Sequence, residues 1–268
     1  MPPRSWLFVP GNRPDRFAKA VRSGADAVVI DLEDTVPADQ KAVSRKHVHQ
    51  WLPPAAHAIY IRINAAETRW FDDDVAAFAS DERVSGLVVP KVECAETLRL
   101  AVRNAHPTLR VVPTIETARA FASLDEIAQA PRVERFMFGT IDFQLDAGIE
   151  GDGDELLYFR SRLVLASRIA SIAPPVDGVQ TTIDDASRLE RDARRARSLG
   201  FRGKACIHPA QVPAVHAAFA YSESEIAWAR RVVTAALASG GEAIMVDGEM
   251  VDKPVVLKAL EIEAASSR

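Results

Sequence analysis

The chain of 268 residues is 48% hydrophobic and 26% charged, a balance that suits one large soluble domain with a full-sized core. Its 33 Lys and Arg against 37 Asp and Glu leave a formal charge of only −4, so no basic face for nucleic acid is expected. Cys94 and Cys206 are too few for a disulfide framework and lack the paired spacing of a zinc site, which makes the reducing cytoplasm the expected location.

The N-terminal MPPRSWLFVPG holds one short apolar run stopped by Pro10 and Gly11, without the long apolar core and cleavage site of a secretory signal. Stretches such as 84–90 and 232–238 are broken long before the roughly twenty apolar residues that cross a bilayer, so no membrane association is expected.

Along the chain, runs rich in Val, Ile and Phe at 6–10, 27–32, 58–63, 86–89, 110–115, 135–138, 175–179 and 204–207 predict strands. AVVIDL and GLVVP are apolar throughout, as expected of strands covered on both faces. Amphipathic helices fit between them, for example at 14–23, 96–105, 156–172 and 186–199, the last followed by Gly200 as a stop signal. Eight alternations predict a single (β/α)8 TIM barrel over residues 1–220. The rival, an open doubly wound sheet, lacks the G-x-G-x-x-G turn after its first strand. Residues 221–268 read as a helical extension of the same domain: a helix at 224–239, the segment GGEAIMVDGEMVDKP, and a last helix from 254. Its glycine-rich connection and MVD segment suggest a lid or an inter-subunit arm.

Chemistry in such a barrel sits at the C-terminal ends of the strands. There the sequence places Pro10, Gly11 and Asn12; Asp31, Glu33 and Asp34; Arg62 and Asn64; Pro90, Lys91 and Glu93; then Glu116, Asp142, Asp177 with Gln180, and His208. So many carboxylates repel one another unless some are protonated or a cation sits among them. Oxygen-only ligands select Mg²⁺, or Mn²⁺, and Mg²⁺ takes one or two protein carboxylates plus waters and substrate oxygens, a pattern that Glu116 and Asp142 fit.

Blander roles compete. Glu116 and Asp142 stand where acids ordinarily favour helix starts. Arg62, in YIRIN, should meet an inward carboxylate or phosphate, with an internal salt bridge to Glu33 or Asp34 as the alternative. Lys91 and Lys204 are candidate Schiff-base nucleophiles, yet neighbouring acids favour a protonated amine. His208, in IHP, suits a backbone hydrogen bond better than a base, and His47 and His49 do not share a helix face.

The motifs RSWLFVPGN, VVIDLEDTV, YIRIN, LVVPKVE, TIETARA, FGTIDF, GKACIHPAQ and DGEMVDKPVV, in this order through nearly the whole chain, resemble the citrate lyase β-subunit-like family within the HpcH/HpaI aldolase and malyl-CoA lyase group. The resemblance implies a Mg²⁺-dependent barrel lyase that cleaves or forms 3-hydroxyacyl-CoA-type thioesters, such as citryl-, malyl- or citramalyl-CoA, giving an acyl thioester and an oxo acid. It marks Glu116 and Asp142 as metal ligands, Arg62 as the group that grips the oxo acid, and Glu33 and Asp34 as acids that orient metal-bound water. Asp252 of MVDKP resembles the family's general acid/base on a C-terminal segment, and Pro10, Gly11 and Arg13 border the coenzyme A arm. A homo-oligomer, trimer or hexamer, is expected.

Two departures stand out: Ala118, Arg119 and Ala120 follow the IET motif where the family often has glycine, and few residues precede the first strand. The alternatives are a metal-dependent aldolase of free 2-oxo acids and a subunit that acts only with an acyl-carrier partner.

Overall fold

The computed structural model describes residues 3–53, 57–239 and 243–266. It resolves into two compact units, Pro2–Phe219 and Ala220–Arg268. In chain order the first unit begins β1 (Ser5–Pro10), α1 (Pro14–Arg22), β2 (Ala27–Asp31), α2 (Lys41–Trp51), β3 (Ile59–Arg62), α3 (Phe71–Phe78), β4 (Gly86–Val89) and α4 (Ala95–Val102). It continues with β5 (Arg110–Ile115), α5 (Ala118–Ala122), α6 (Leu124–Ala128), β6 (Met137–Phe138), α7 (Thr140–Ala147) and α8 (Leu157–Ile169). The last elements are β7 (Val176–Asp177), α9 (Ala186–Leu199), β8 (Gly203–Cys206) and α10 (Val212–Phe219). The strands close in the order β1 to β8, and parallel pairing of β1 with β8, Trp6 opposite Ala205, seals the barrel.

Two hydrophobic clusters follow from the period-two alternation of strand side chains. Trp6, Val29, Tyr60, Val88, Val112 and Met137 belong to one that contains no helix residue, and this is the barrel interior. Leu7, Val28, Ile61, Leu87 and Val111 pack outward with Phe17, Leu98, Leu163 and Ala193 of the surrounding helices. Trp6 and Tyr60 meet with ring centroids 4.6 Å apart, and they fill the floor so that the barrel is a packed core beneath its mouth.

The helices at 14–22, 95–102, 157–169 and 186–199 fall within a few residues of the expected ones. Gly200 ends α9 in the left-handed conformation, φ 108°. Strands β6 and β7 are shorter than the runs at 135–138 and 175–179. Pro174 and Pro175 have no N–H to give, so the β7 ladder begins at Val176, which donates to the Phe136 carbonyl at 2.9 Å.

Where β7 and β8 end, Asp177 is buried between two cations. Arg160 Nε lies 2.9 Å from one carboxylate oxygen and Lys204 Nζ 2.8 Å from the other. Burial opposes ionisation, but Lys204 and Arg160 outweigh it and hold the carboxyl below its usual range. Lys204 also donates to the Gly178 carbonyl at 2.9 Å, which fixes the turn after β7.

The second unit carries α11 (Glu223–Ala238), β9 (Ile244–Val246), β10 (Glu249–Val251) and α12 (Lys253–Ser266), close to the expected helices at 224–239 and from 254. Ser222 and Glu225 form a capping box at the start of α11. The β9–β10 hairpin turns at Asp247 and Gly248, both at positive φ, as a two-residue primed turn requires. Ala229, Val232, Val246, Val251, Ala259 and Ile262 form this unit's own core. Residues 240–242, in the glycine-rich connection, lie outside the described residues. Among the described residues no helix is long and apolar enough to cross a membrane.

Replacing Asp177 with alanine leaves buried Lys204 without its carboxylate partner and Arg160 with Asp152 alone, and is expected to cost about 3–5 kcal/mol of stability. Denaturant unfolding measures this, and a loss below about 1 kcal/mol contradicts the assignment.

Candidate active site

The strand ends surround a cavity of about 330 Å³ bordered by Phe8, Arg62, Thr114, Glu116, Gly139 and Asp142. Arg62 closes β3, and its register partner across the β2–β3 ladder is Asp31. The two inward side chains therefore stand side by side, and Nε and Nη2 of Arg62 each donate to one Asp31 oxygen at 2.7 Å. Burial opposes charge on both. For Asp31, the Arg62 cation outweighs it, helped by Thr35 and the Glu33 N–H, and holds the carboxyl low; for Arg62, the neighbouring acids hold the guanidinium firmly protonated. Nη1 lies 3.0 Å from Glu33 and 3.5 Å from Asp34, and the guanidinium carbon sits 5.2 Å from the centre of the Phe8 ring.

The expected salt bridge from Arg62 to Glu33 or Asp34 is thus present, but its principal partner is Asp31, which the sequence reading left without a role. Strand β2 stops at Asp31, one residue short of the expected end. Asp31 accepts the Glu33 N–H at 2.8 Å, the Thr35 N–H at 3.2 Å and the Thr35 hydroxyl at 2.6 Å. Those bonds curl DLEDT into a turn that brings Glu33 and Asp34 back over Arg62. Burial, against the pull of Arg62, and repulsion from Asp34 and Asp31 push the Glu33 carboxyl up to about 7.

Glu116 follows β5 and is 3% exposed. It does not cap the next helix: Thr117 does, accepting the Ala120 N–H at 3.1 Å. The Lys91 N–H donates to Glu116 at 2.6 Å, aimed by a left-handed backbone at Lys91, φ 51°. Burial comes first, and repulsion from Glu33 and Asp142 adds to it, raising the Glu116 carboxyl to about 8. Asp142 lies in the first turn of α7, so its helix-start role holds, yet it borders the same cavity as Glu116. Gly139 completes the arrangement. A Cβ there would stand 2.6 Å from Glu116 Cβ and collide with the carboxylate itself, so only glycine lets α7 approach this closely.

These residues fit a hard divalent cation. A buried carboxylate pressed by two others gains most from a positive charge, and Glu116 with Asp142 would supply the one or two oxygen ligands that Mg²⁺ takes from protein. Among the described residues no group of three or more His, Cys, Asp or Glu has a metal-binding arrangement.

Neither lysine suits imine formation. Although burial works against it, the charges of Glu33, Asp34 and Glu116 keep Lys91 more firmly protonated than usual, and Lys204 is held by Asp177. His208 accepts the Ala210 N–H at 3.2 Å and caps the turn that follows.

A second cavity, about 410 Å³, adjoins through Phe8 and Ile207 and is bordered by Pro10, Arg13, Arg16, Lys19 and His208. Arg13 is clamped to Asp15 by two bonds of 3.0 Å. Gly11 donates to the Asp31 carbonyl at 2.7 Å, and a Cβ there would stand 2.8 Å from that oxygen. Arg16 and Lys19 were not singled out from sequence, although the three-residue steps from Arg13 to Arg16 to Lys19 were the available signal. Asp252 belongs to the second unit, where it precedes α12 and accepts the Val255 N–H at 3.4 Å.

The family model of the HpcH/HpaI aldolase/citrate lyase matches residues 4–209. A citrate lyase subunit beta-like protein of Deinococcus radiodurans is 39% identical, covering 96% of this chain and 94% of that protein. A (3S)-malyl-CoA thioesterase of Cereibacter sphaeroides is 33% identical over 96% of this chain and 92% of its own length. The crystal structure of CitE from Mycobacterium tuberculosis with magnesium, acetoacetate and coenzyme A superimposes with a TM-score of 0.88 at 32% identity, covering 99% of this chain and 98% of that one. With matches end to end and a closed barrel within the matched residues, the chain belongs to the HpcH/HpaI aldolase/citrate lyase family, a family of carbon–carbon lyases.

Proposed function

We propose that this chain is a Mg²⁺-dependent lyase that cleaves or forms a 3-hydroxyacyl thioester of coenzyme A, of the citryl, malyl or citramalyl type. The observation that carries the reading is that Glu116, Asp142 and Arg62 border one cavity. Relatives support the ligand classes: CitE has been crystallised with magnesium and coenzyme A, and also with pyruvate. Basic residues of the adjoining cavity, Arg13, Arg16 and Lys19, suit the phosphates of coenzyme A, with Pro10 and Gly11 bordering its arm.

Bound between Glu116 and Asp142, Mg²⁺ would supply a Lewis acid for the keto oxygen of the oxo acid. Arg62 donates to that acid's oxygens and offsets the charge that gathers there. Its own geometry is held by Asp31, Glu33 and Asp34, so little reorganisation is needed when charge develops. In the condensing direction Asp252 takes the proton from the acyl α-carbon, whose electron pair then attacks the keto carbon. The resulting alkoxide takes a proton from water and becomes the product hydroxyl, and cleavage is the reverse. The C-terminal unit acts as the lid or inter-subunit arm that carries Asp252, in a cytoplasmic homo-oligomer. Mn²⁺ would satisfy the same oxygen ligands.

Glu116→Gln is expected to stay folded while Mg²⁺-dependent turnover drops below roughly 1% of the parent. Asp252→Asn should keep metal and oxo-acid binding but lose roughly 100-fold or more in kcat. Assays on malyl-, citramalyl- and citryl-CoA, with and without chelator, check both, and full turnover by either variant contradicts its role. Products separate the readings: an oxo acid plus acyl-CoA marks a lyase, a free hydroxy acid plus coenzyme A a thioesterase, and activity on free oxo acids alone an aldolase.

The raised carboxyls give a second test. The ordinary value for Glu116 is 4.5 and its folded value about 8, so between these the folded protein holds a proton that the unfolded chain has released. Its contribution to stability is therefore complete below about 4.5 and is lost as pH rises through about 8. Mg²⁺ competes with that proton. The rise in Tm on adding Mg²⁺ to chelator-treated protein should be larger at about pH 8.5 than at about pH 6, whereas equal increments contradict the proton–metal competition.

A further inference from the structure

One polar group at the floor of the cavity is unused by this reaction. Thr114 lies on β5 two residues before Glu116, so both side chains face the barrel interior, their Cα atoms roughly 7 Å apart along the strand. Its register partner on β6 is Met137, which borders the same cavity. Thr114 is 5% exposed, and its hydroxyl has no hydrogen-bond partner among the described residues. The Thr35 hydroxyl at the same cavity is, by contrast, committed to Asp31 at 2.6 Å.

A buried hydroxyl without a partner is costly, and valine would fill the same space as a better strand former without that cost. The packing explains the methyl group and leaves the oxygen unexplained. The methyl is turned toward Gly139: its carbon would be 3.0 Å from a Cβ placed there. Phe8, Met137 and Ala205 make the rest of the floor largely apolar. A hydroxyl in such surroundings, one strand step below the metal-binding carboxylate, has the reach and chemistry to meet a small oxygenated ligand held at Glu116, Asp142 and Arg62.

We propose that Thr114 is a substrate-binding residue whose hydroxyl donates a hydrogen bond to an oxygen of the bound oxo acid, so that the cavity floor selects an oxygen-bearing fragment over a hydrocarbon one. This rests on the oxo-acid reading of the same cavity.

The test compares Thr114→Val, which keeps the volume, with Thr114→Ser, which keeps the hydroxyl, by calorimetric titration of pyruvate, glyoxylate and oxaloacetate in saturating Mg²⁺. Thr114→Val should weaken binding of the tightest of the three roughly 5- to 20-fold, with coenzyme A and Mg²⁺ affinities unchanged, and Thr114→Ser should bind within about threefold of the parent. Equal affinity in the valine variant overturns the proposal, as does a serine variant as weak as the valine one, since packing alone would then explain the residue. If the parent binds none of the three acids, the oxo-acid reading fails and this inference with it, an outcome distinct from a parent that binds and a valine variant that binds equally well.

Discussion

At the mouth of the barrel the Glu116 carboxyl is buried and stands close enough to Glu33 and Asp142 to be repelled by both, and the rest of the site is arranged around that repulsion. Burial is the larger cause for both glutamates; repulsion from Asp34 and Asp31 adds to it at Glu33, which rises to about 7, and repulsion from Glu33 and Asp142 at Glu116, which rises to about 8. Two positive charges answer it at one side: Arg62, bound to Asp31 and Glu33, and Lys91, whose amine lies 3.5 Å from Glu33. In the proposed reading, a small divalent cation between Glu116 and Asp142 would supply the remaining positive charge. The proposed site would thus separate a permanent cation, Arg62, that grips an anionic substrate from an exchangeable one that polarises it.

The barrel makes this placement inexpensive in conformational terms. Register sets Asp31 opposite Arg62, and the closed sheet brings β5 and β6 together so that Glu116 meets Gly139 without a side chain between them. Below, Trp6 and Tyr60 block the interior and keep the chemistry at the mouth. Behind β6, Phe121, Phe138, Phe143 and Phe159 form a tilted and edge-on aromatic wall with centroids from 4.5 to 5.7 Å, which supports the strand that leads to Asp142.

Much of this was legible in the sequence because the barrel's grammar is local. Apolar runs such as AVVIDL and GLVVP announce strands, and the residue after each run announces the rim, so Arg62, Glu116 and Asp142 stood out before any coordinates. What was hidden depended on lateral pairing. Asp31 reads as merely the first acid of a crowded run until the register places it against Arg62. Thr114 reads as an ordinary strand residue, and that its hydroxyl has no partner among the described residues is a property sequence cannot display. Gly139 gave only the hint that a glycine precedes a helix. The short β6 and β7 were overestimated because valine and phenylalanine content was weighed without the missing N–H groups of Pro174 and Pro175.

The most direct measurement is the anomalous scattering of crystals grown with Mn²⁺ and an oxo acid. The account expects a single strong peak in each barrel, within coordination distance of carboxylate oxygens from both Glu116 and Asp142, with the acid reaching from it toward Arg62. A peak held by other residues, or none in crystals soaked at saturating Mn²⁺, would contradict it.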